Sequence, residues 1–271
     1  MAPSNLNSQP SESALREALA HLYQDSTSLD RAVQELAAAG AISEGITADS
    51  QLVEAVDLDL DRAKRCGFPE VVFGEGKSSE LIVQIFQKQQ KAGQDSLVTR
   101  VRAEHVAKIR AQFPDSHYNE VARTIRLRHS STIAETQGGP VFVVTAGSSD
   151  RAVAEEAMET LLWMRVNCEL IQDVGVAGPH RLQKHVARLQ TATAIVCVAG
   201  MEAALPSVVG GYVGCPVIGV PTSVGYGASL QGITAMLSML TCCASNVVCV
   251  NIDAGFKGGY VAGLIATRSK M

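Results

Sequence analysis

The sequence predicts an α/β protein: a carboxy-terminal three-layer αβα domain with a parallel sheet, plus a small amino-terminal α+β domain. Three observations lead there. Of the 271 residues, 46% are hydrophobic yet only 4% aromatic, which suits an Ala/Val-rich core in a chain long enough to bury one unaided. From residue 140 onward, continuously apolar runs alternate with helical runs, and strands apolar on both faces belong to a parallel sheet covered by helices on each side. Between the less regular first part and this regular second part lies Ser130-Ser131-Thr132-Ile133-Ala134-Glu135-Thr136-Gln137-Gly138-Gly139, polar and glycine-ended, the composition of a linker. The expected boundaries are 1–130 for the small domain, 131–139 for the linker and 140–271 for the larger domain.

In the small domain, residues 14–39 carry Leu, Ala and Val at helical spacing, broken at Asp25-Ser26-Thr27-Ser28 and stopped by Gly40, which predicts two short helices. Glu70 to Gly74 reads as a strand. Gly76-Lys77-Ser78-Ser79 opens an amphipathic helix through about Gln90, with Leu81, Ile82, Ile85 and Phe86 on one face. A strand at Val98 to Val101 and a helix over 103–112 follow. Gly74-Glu75-Gly76-Lys77-Ser78 lacks the four-residue gap between glycines with which backbone amides wrap a triphosphate, so a nucleotide triphosphatase is excluded. In the larger domain, strands are expected at 141–146, 168–174, 193–199, 216–220 and 247–252. Helices are expected near 150–165, 180–190, 203–212, 228–241 and 257–267.

A formal charge of -4 with no long Lys/Arg run argues against general nucleic-acid or membrane-surface binding and points to small-molecule partners. No stretch approaches ~18 uninterrupted apolar residues, and Met1 to Ser13 is polar, so the chain reads as cytoplasmic. Its seven cysteines (Cys66, Cys168, Cys197, Cys215, Cys242, Cys243, Cys249) include no C-x-x-C and no zinc spacing. Most read as small buried hydrophobes; of the adjacent pair Cys242-Cys243, one is expected to face a cleft.

Ligands of parallel sheets bind beyond the carboxyl ends of the strands, and here those ends are small and polar. Gly147 allows close backbone approach, Ser148 and Ser149 can donate to a phosphate at the next helix start, and Asp150 suits ribose hydroxyls or an arginine. Gly200-Met201-Glu202 places one carboxylate among Ala, Leu and Met, where lost solvation would raise its pKa toward the range of a general base. Thr222, Ser223 and Asp253 sit at the last two ends. His180 and His185 fall on one expected helix, without a third ligand.

Two resemblances rest on these residues. Through Gly147-Ser148-Ser149-Asp150, through Ala199-Gly200 to Leu205-Pro206, and through Pro216-Val217-Ile218-Gly219-Val220-Pro221, residues 140–268 resemble the PurE (aminoimidazole ribonucleotide carboxylase) family. That implies a flavodoxin-like sheet, although Ala204 stands where the purine enzymes have a proton-handling histidine. The whole chain resembles the LarB family more closely, through Arg62, Arg65, Gly67, Pro69-Glu70-Val71-Val72, Gly76-Lys77, the loop from Gly200 to Pro206, and Cys243-Ala244.

The LarB resemblance implies carboxylation of the pyridinium ring of nicotinic acid adenine dinucleotide by carbon dioxide. Phosphoanhydride hydrolysis then gives pyridinium-3,5-biscarboxylate mononucleotide and AMP, for nickel-pincer cofactor synthesis. It implies Cys243 as the nucleophile and magnesium as the cofactor, with no prosthetic group, and Glu202 is the candidate base. Gly147, Ser148, Ser149, Asp150, Gly200, Met201, Thr222, Ser223, Asp253 and Lys257 are expected around the substrate, with Arg62, Arg65 and Lys77 supplying positive charge at its phosphates. Asp150 and Asp253 suit magnesium or ribose alike. The PurE resemblance further implies a homo-oligomer, an octamer being one such form. The rival readings are a PurE-type carboxylase or mutase and a non-catalytic nucleotide-binding regulator.

Overall fold

The computed structural model describes residues 57–129 and 138–268. The two helices expected within 14–39 and most of the expected linker lie outside them. The described residues all fall in one compact unit.

Its first part holds α1 (Arg62–Cys66), β1 (Val72–Phe73), α2 (Ser79–Lys91), β2 (Ser96–Thr99), α3 (Ala103–Gln112), β3 (His117–Asn119) and β4 (Thr124–Leu127). Ser78 starts α2 by accepting the Leu81 N–H at 3.3 Å, and Ile82, Ile85, Phe86 and Gln89 form its buried face. The sheet order is β1-β2-β4-β3, with β1 parallel to β2 and the other pairs antiparallel. The β3–β4 hairpin was not expected from the sequence, because His117-Tyr118-Asn119 carries no apolar alternation. Its strands are joined through Arg123, held at φ 53°.

The second part contains β5 (Val141–Thr145), α4 (Arg151–Trp163), β6 (Cys168–Ile171), α5 (Pro179–Gln183), α6 (Val186–Leu189) and β7 (Ala194–Ala199). It continues with α7 (Leu205–Tyr212), β8 (Val217–Pro221), α8 (Ile233–Leu240), β9 (Val247–Cys249) and α9 (Gly255–Arg268). All five strands are parallel, in the order β6-β5-β7-β8-β9. Successive side chains point to opposite faces, so Val141, Val143, Val196 and Val198 pack under α4 and α9, while Phe142, Val144, Ile195 and Cys197 pack under α5 to α8. This is the three-layer αβα arrangement.

Boundaries differ where the backbone turns early. The strands expected over 168–174 and 247–252 end at Ile171 and Cys249. The helix expected over 180–190 is two helices, which puts His180 on α5 and His185 just before α6. The helix expected over 228–241 is a 3-10 segment, Gly227–Gly232, followed by α8. Leu230, Gln231 and Gly232 all have positive φ there, which an α-helix does not accommodate.

The small sheet packs on α4. Leu97 of β2 joins the core that Val141, Leu161 and Val196 share. Arg126 Nε lies 2.7 Å from Glu159 Oε2, and Arg165 Nη2 lies 2.5 Å from Asp95 Oδ2. Glu159 is 4% exposed and also faces Asn119 Nδ2 and, at 3.4 Å, His117 Nε2, so removing Arg126 takes away its one closely bonded guanidinium and leaves a buried carboxylate poorly compensated. Arg126→Ala is expected to cost about 3 kcal/mol of stability in urea denaturation. A change below about 0.5 kcal/mol would mean that the pair does not join the sheet to α4.

Candidate active site

In strand order β6-β5-β7-β8-β9 the direction of winding reverses between β5 and β7, and loops leaving those two strands part to form a crevice. A cavity of about 200 Å³ lies there, lined by Gly147, Ser149 and Asp150 after β5, Gly175 to Ala177 after β6, Ala199 to Leu205 after β7, and Val224 after β8.

Asp150 forms the floor. It is 2% exposed; its Oδ1 accepts the Thr222 hydroxyl at 2.7 Å and its Oδ2 the Gly147 N–H at 2.9 Å. Burial pushes its carboxyl up, and the hydrogen bonds from Thr222 and the backbone oppose that rise. The network ties the first turn after β5 to the end of β8. Gly200 closes it: a Cβ there would sit 2.4 Å from the Val224 carbonyl oxygen and 2.6 Å from Thr222 Oγ1, so only glycine lets the loops meet. Met201 N–H then donates to that carbonyl at 3.0 Å.

Glu202 lies between Met201 and Ala203, both in the left-handed region at φ 55° and 52°. This backbone lifts Glu202 onto the rim, where it is exposed. The expected loss of solvation among Ala, Leu and Met is therefore not found; only neighbouring Ala203 and Leu205 are buried. Arg181, which the sequence reading passed over, lines the same cavity, with Nη1 2.8 Å from Asp173 Oδ2. No pattern around it in the sequence marks it; the Gly178-Pro179 start of α5 sets only where that helix begins.

Gly147, Ser149, Asp150, Gly200, Met201 and Glu202 thus come together, with Thr222 behind Asp150. Ser148 is exposed and Lys257 lies exposed in the first turn of α9, both outside the cavity lining. Ser223 N–H donates to Asp253 Oδ1 at 2.8 Å, which fixes Asp253 in a neighbouring cavity. The small domain's expected cations are elsewhere. Arg65 is paired in two-pronged fashion with Asp59 on the surface, at 2.9 and 2.5 Å. The helix that carries Arg62 and Arg65, α1, borders a different cavity with Trp163, Met164 and Arg165 at the far end of α4. Lys77 is half-buried in the loop after β1.

Cys243 is exposed, but at the other edge of the sheet. It precedes β9 in a loop anchored by Asn246 Nδ2, which donates to the Gly210, Val213 and Cys215 carbonyls at 3.2, 3.1 and 3.0 Å. Val247 is in register with Val217 and so with Ile195, while the Glu202 loop leaves β7 after Ala199. Four residues of strand, about 13 Å, separate the two levels, and the two loops run away from each other beyond them.

Magnesium finds no protein-built site: among the described residues no three His, Cys, Asp or Glu side chains converge. Both Asp150 oxygens and one of Asp253's already accept hydrogen bonds. The residues present do not fit a resident ion.

Residues 50–129 match the family model for the LarB/PurE-like N-terminal domain, and residues 140–270 match that for AIR carboxylase. An uncharacterized protein of Methanocaldococcus jannaschii is 39% identical over 223 residues, which is 80% of this chain and 86% of that one. This chain belongs to the LarB family. The LarB/PurE-like and AIR carboxylase domain matches support a carboxylase-type function. A Treponema denticola PurE2 variant of known crystal structure aligns at 16% identity with a TM-score of 0.37, covering 48% of this chain and 90% of its own. Among the described residues no helix is long and apolar enough to cross a membrane.

Within this LarB-family chain the thiols differ sharply. Burial pushes Cys168 up to about 12 and raises Cys197, which is 0% exposed, whereas Cys243 is open to solvent. A limiting amount of maleimide is expected to label Cys243 before either of these, as read by peptide mass spectrometry. Prior labelling of Cys197 would contradict this placement.

Proposed function

We propose that this protein carboxylates the pyridinium ring of nicotinic acid adenine dinucleotide at carbon 5 and then hydrolyses the phosphoanhydride, releasing AMP and pyridinium-3,5-biscarboxylate mononucleotide. The observation that carries this reading is the switch-point cavity with Glu202 on its rim, in a chain that also presents an exposed Cys243. Ala204, where a purine-type enzyme has its histidine, disfavours the aminoimidazole reaction.

A pyridinium ring is too electron-poor to attack carbon dioxide. Addition of the Cys243 thiolate at carbon 4 moves a ring electron pair onto nitrogen and leaves an enamine whose carbon 5 forms the new bond to carbon dioxide. Glu202 accepts the carbon 5 proton; the nitrogen pair then expels the sulfur as thiolate and restores the aromatic cation. Asp150 and Thr222 hold the cavity floor and suit the ribose hydroxyls. In the second step water displaces AMP at phosphorus.

This chemistry needs Cys243 beside Glu202, and within one chain they occupy opposite edges of the sheet. The reading therefore places Cys243 of a second copy in each site. A surface suited to that contact exists: Leu230, Ile233, Leu237 and Leu240 are all exposed, and no charged residue occurs from Leu230 through Ser245. The stripe runs from the Gly227–Gly232 segment, near the cavity edge, along α8 toward Cys243 at the opposite edge. Two copies of α8 packed antiparallel about a two-fold axis would bring the Cys243 end of each to the cavity end of the other.

The test is direct: incubate the protein with nicotinic acid adenine dinucleotide, bicarbonate and magnesium, and resolve the products by mass spectrometry. The biscarboxylated mononucleotide and AMP are expected. Turnover of an aminoimidazole ribonucleotide instead would overturn the assignment.

A further inference from the structure

Next to the Glu202 cavity, on the far side of the α4 start, lies a second cavity of about 160 Å³. Arg100 and Arg123 enter it from the small sheet, opposite Val153 and Glu156 of α4 and Asp253. Both arginines sit at strand boundaries, Arg100 just after β2 and Arg123 just before β4. Both have left-handed backbones, φ 54° and 53°. Two such backbones side by side, strained for non-glycine residues, hold both side chains at one end of the sheet.

The guanidinium groups are underused. Arg100 Nη2 donates to the Asp253 carbonyl at 2.6 Å, while its Nε lies 3.8 Å from Glu156 Oε1 and its Nη1 lies 4.0 Å from Glu75 Oε2, beyond hydrogen-bond distance. Arg123 is exposed, and its Nη2 donates at 3.3 Å to the Arg100 carbonyl. Each guanidinium has five N–H donors, so most remain available. The carboxylates nearby are turned to other work. Glu156, 5% exposed, accepts the Phe256 N–H at 3.0 Å, and burial raises its carboxyl against the pull of that hydrogen bond and of Arg100. Asp253 Oδ1 accepts from Ser223.

The two cavities are neighbours along the chain. Ser149 and Asp150 line the first, and Ala152 and Val153 line the second. Val224 lines the first, while Ser223 is bonded to Asp253 of the second. A drug-sized ligand fills roughly 300–1,000 Å³, more than either cavity alone.

We propose that Arg100 and Arg123 form a phosphate subsite, in which the second cavity takes the phosphates of a nucleotide whose base lies against Glu202. The dinucleotide form of this inference rests on the function proposed above; the phosphate site itself does not. It also assigns the small domain a role, since both cations come from its sheet.

Inorganic pyrophosphate is the probe, titrated calorimetrically into full-length wild-type, Arg123→Gln and Arg100→Lys proteins. Arg123 is exposed, so its replacement leaves the fold intact. Arg100→Lys keeps the charge and loses the fork. Pyrophosphate affinity is expected to fall about tenfold or more in each, with melting temperature unchanged in Arg123→Gln. Absence of pyrophosphate binding by wild type, or equal affinity in all three proteins, would overturn the subsite. A parallel turnover assay with nicotinic acid adenine dinucleotide separates the two ideas. Wild-type turnover with an unaltered KM in Arg123→Gln refutes the subsite and leaves the function standing. Arginine-dependent pyrophosphate binding without turnover supports the subsite and refutes the function.

Discussion

Mixing Cys243→Ala protein with Glu202→Gln protein is expected to restore a carboxylation that neither performs alone. Losing the base costs about a factor of 10² to 10⁴, and losing the nucleophile removes the only route by which the ring becomes electron-rich. If each site draws Glu202 from one copy and Cys243 from another, random assembly of equal amounts leaves about one quarter of the sites with both groups. The initial rate of product formation should then reach about one quarter of the wild-type rate. This expectation rests on the proposed function, in which both groups meet one ring although their loops leave opposite ends of parallel strands. Continued inactivity of an oligomer verified to contain both variants would show that one chain supplies both groups, and that its loops rearrange to do so.

Gly200→Ala is expected to lower carboxylation about a hundredfold while leaving a folded protein. The added methyl would stand 2.4 Å from the Val224 carbonyl oxygen, 2.6 Å from Thr222 Oγ1 and 3.1 Å from Val224 Cβ. The loop after β7 must retreat, which breaks the Met201–Val224 hydrogen bond and pushes Thr222 away from Asp150. Overpacking of this kind costs about 2 kcal/mol, well within what a folded domain survives. Denaturation and steady-state rates measured on the same preparation would decide. A rate and stability both equal to wild type would mean that the contact between the two loops is not needed for the site.

The layered α/β part was legible because its strands advertise themselves. Val141 to Thr145, Ala194 to Ala199 and Val217 to Pro221 are buried throughout, so no polar alternation confuses the pattern. The β3–β4 hairpin was not, since its three-residue first strand is exposed or half-buried and owes its existence to pairing with β4. The break before α8 was invisible for a related reason: Leu230-Gln231 satisfies helical periodicity, while its backbone is set by the close approach of Gly232 to Thr222. Within the site, Gly147, Asp150, Gly200 and Glu202 could be picked from strand-end chemistry. Arg100, Arg123 and Arg181 could not, since a lone arginine in a sequence carries no sign of which sheet end it faces.

Local composition alone determined which segments become buried parallel strands and which residues collect at their carboxyl ends, because burial on both faces and a fixed chain direction follow from apolar runs and crossover helices. Distance across the sheet was decided only by the folded chain. Cys243 and Glu202 read as partners along the sequence and stand on opposite edges in space, because a loop entering a strand and a loop leaving one are separated by the strand's own length.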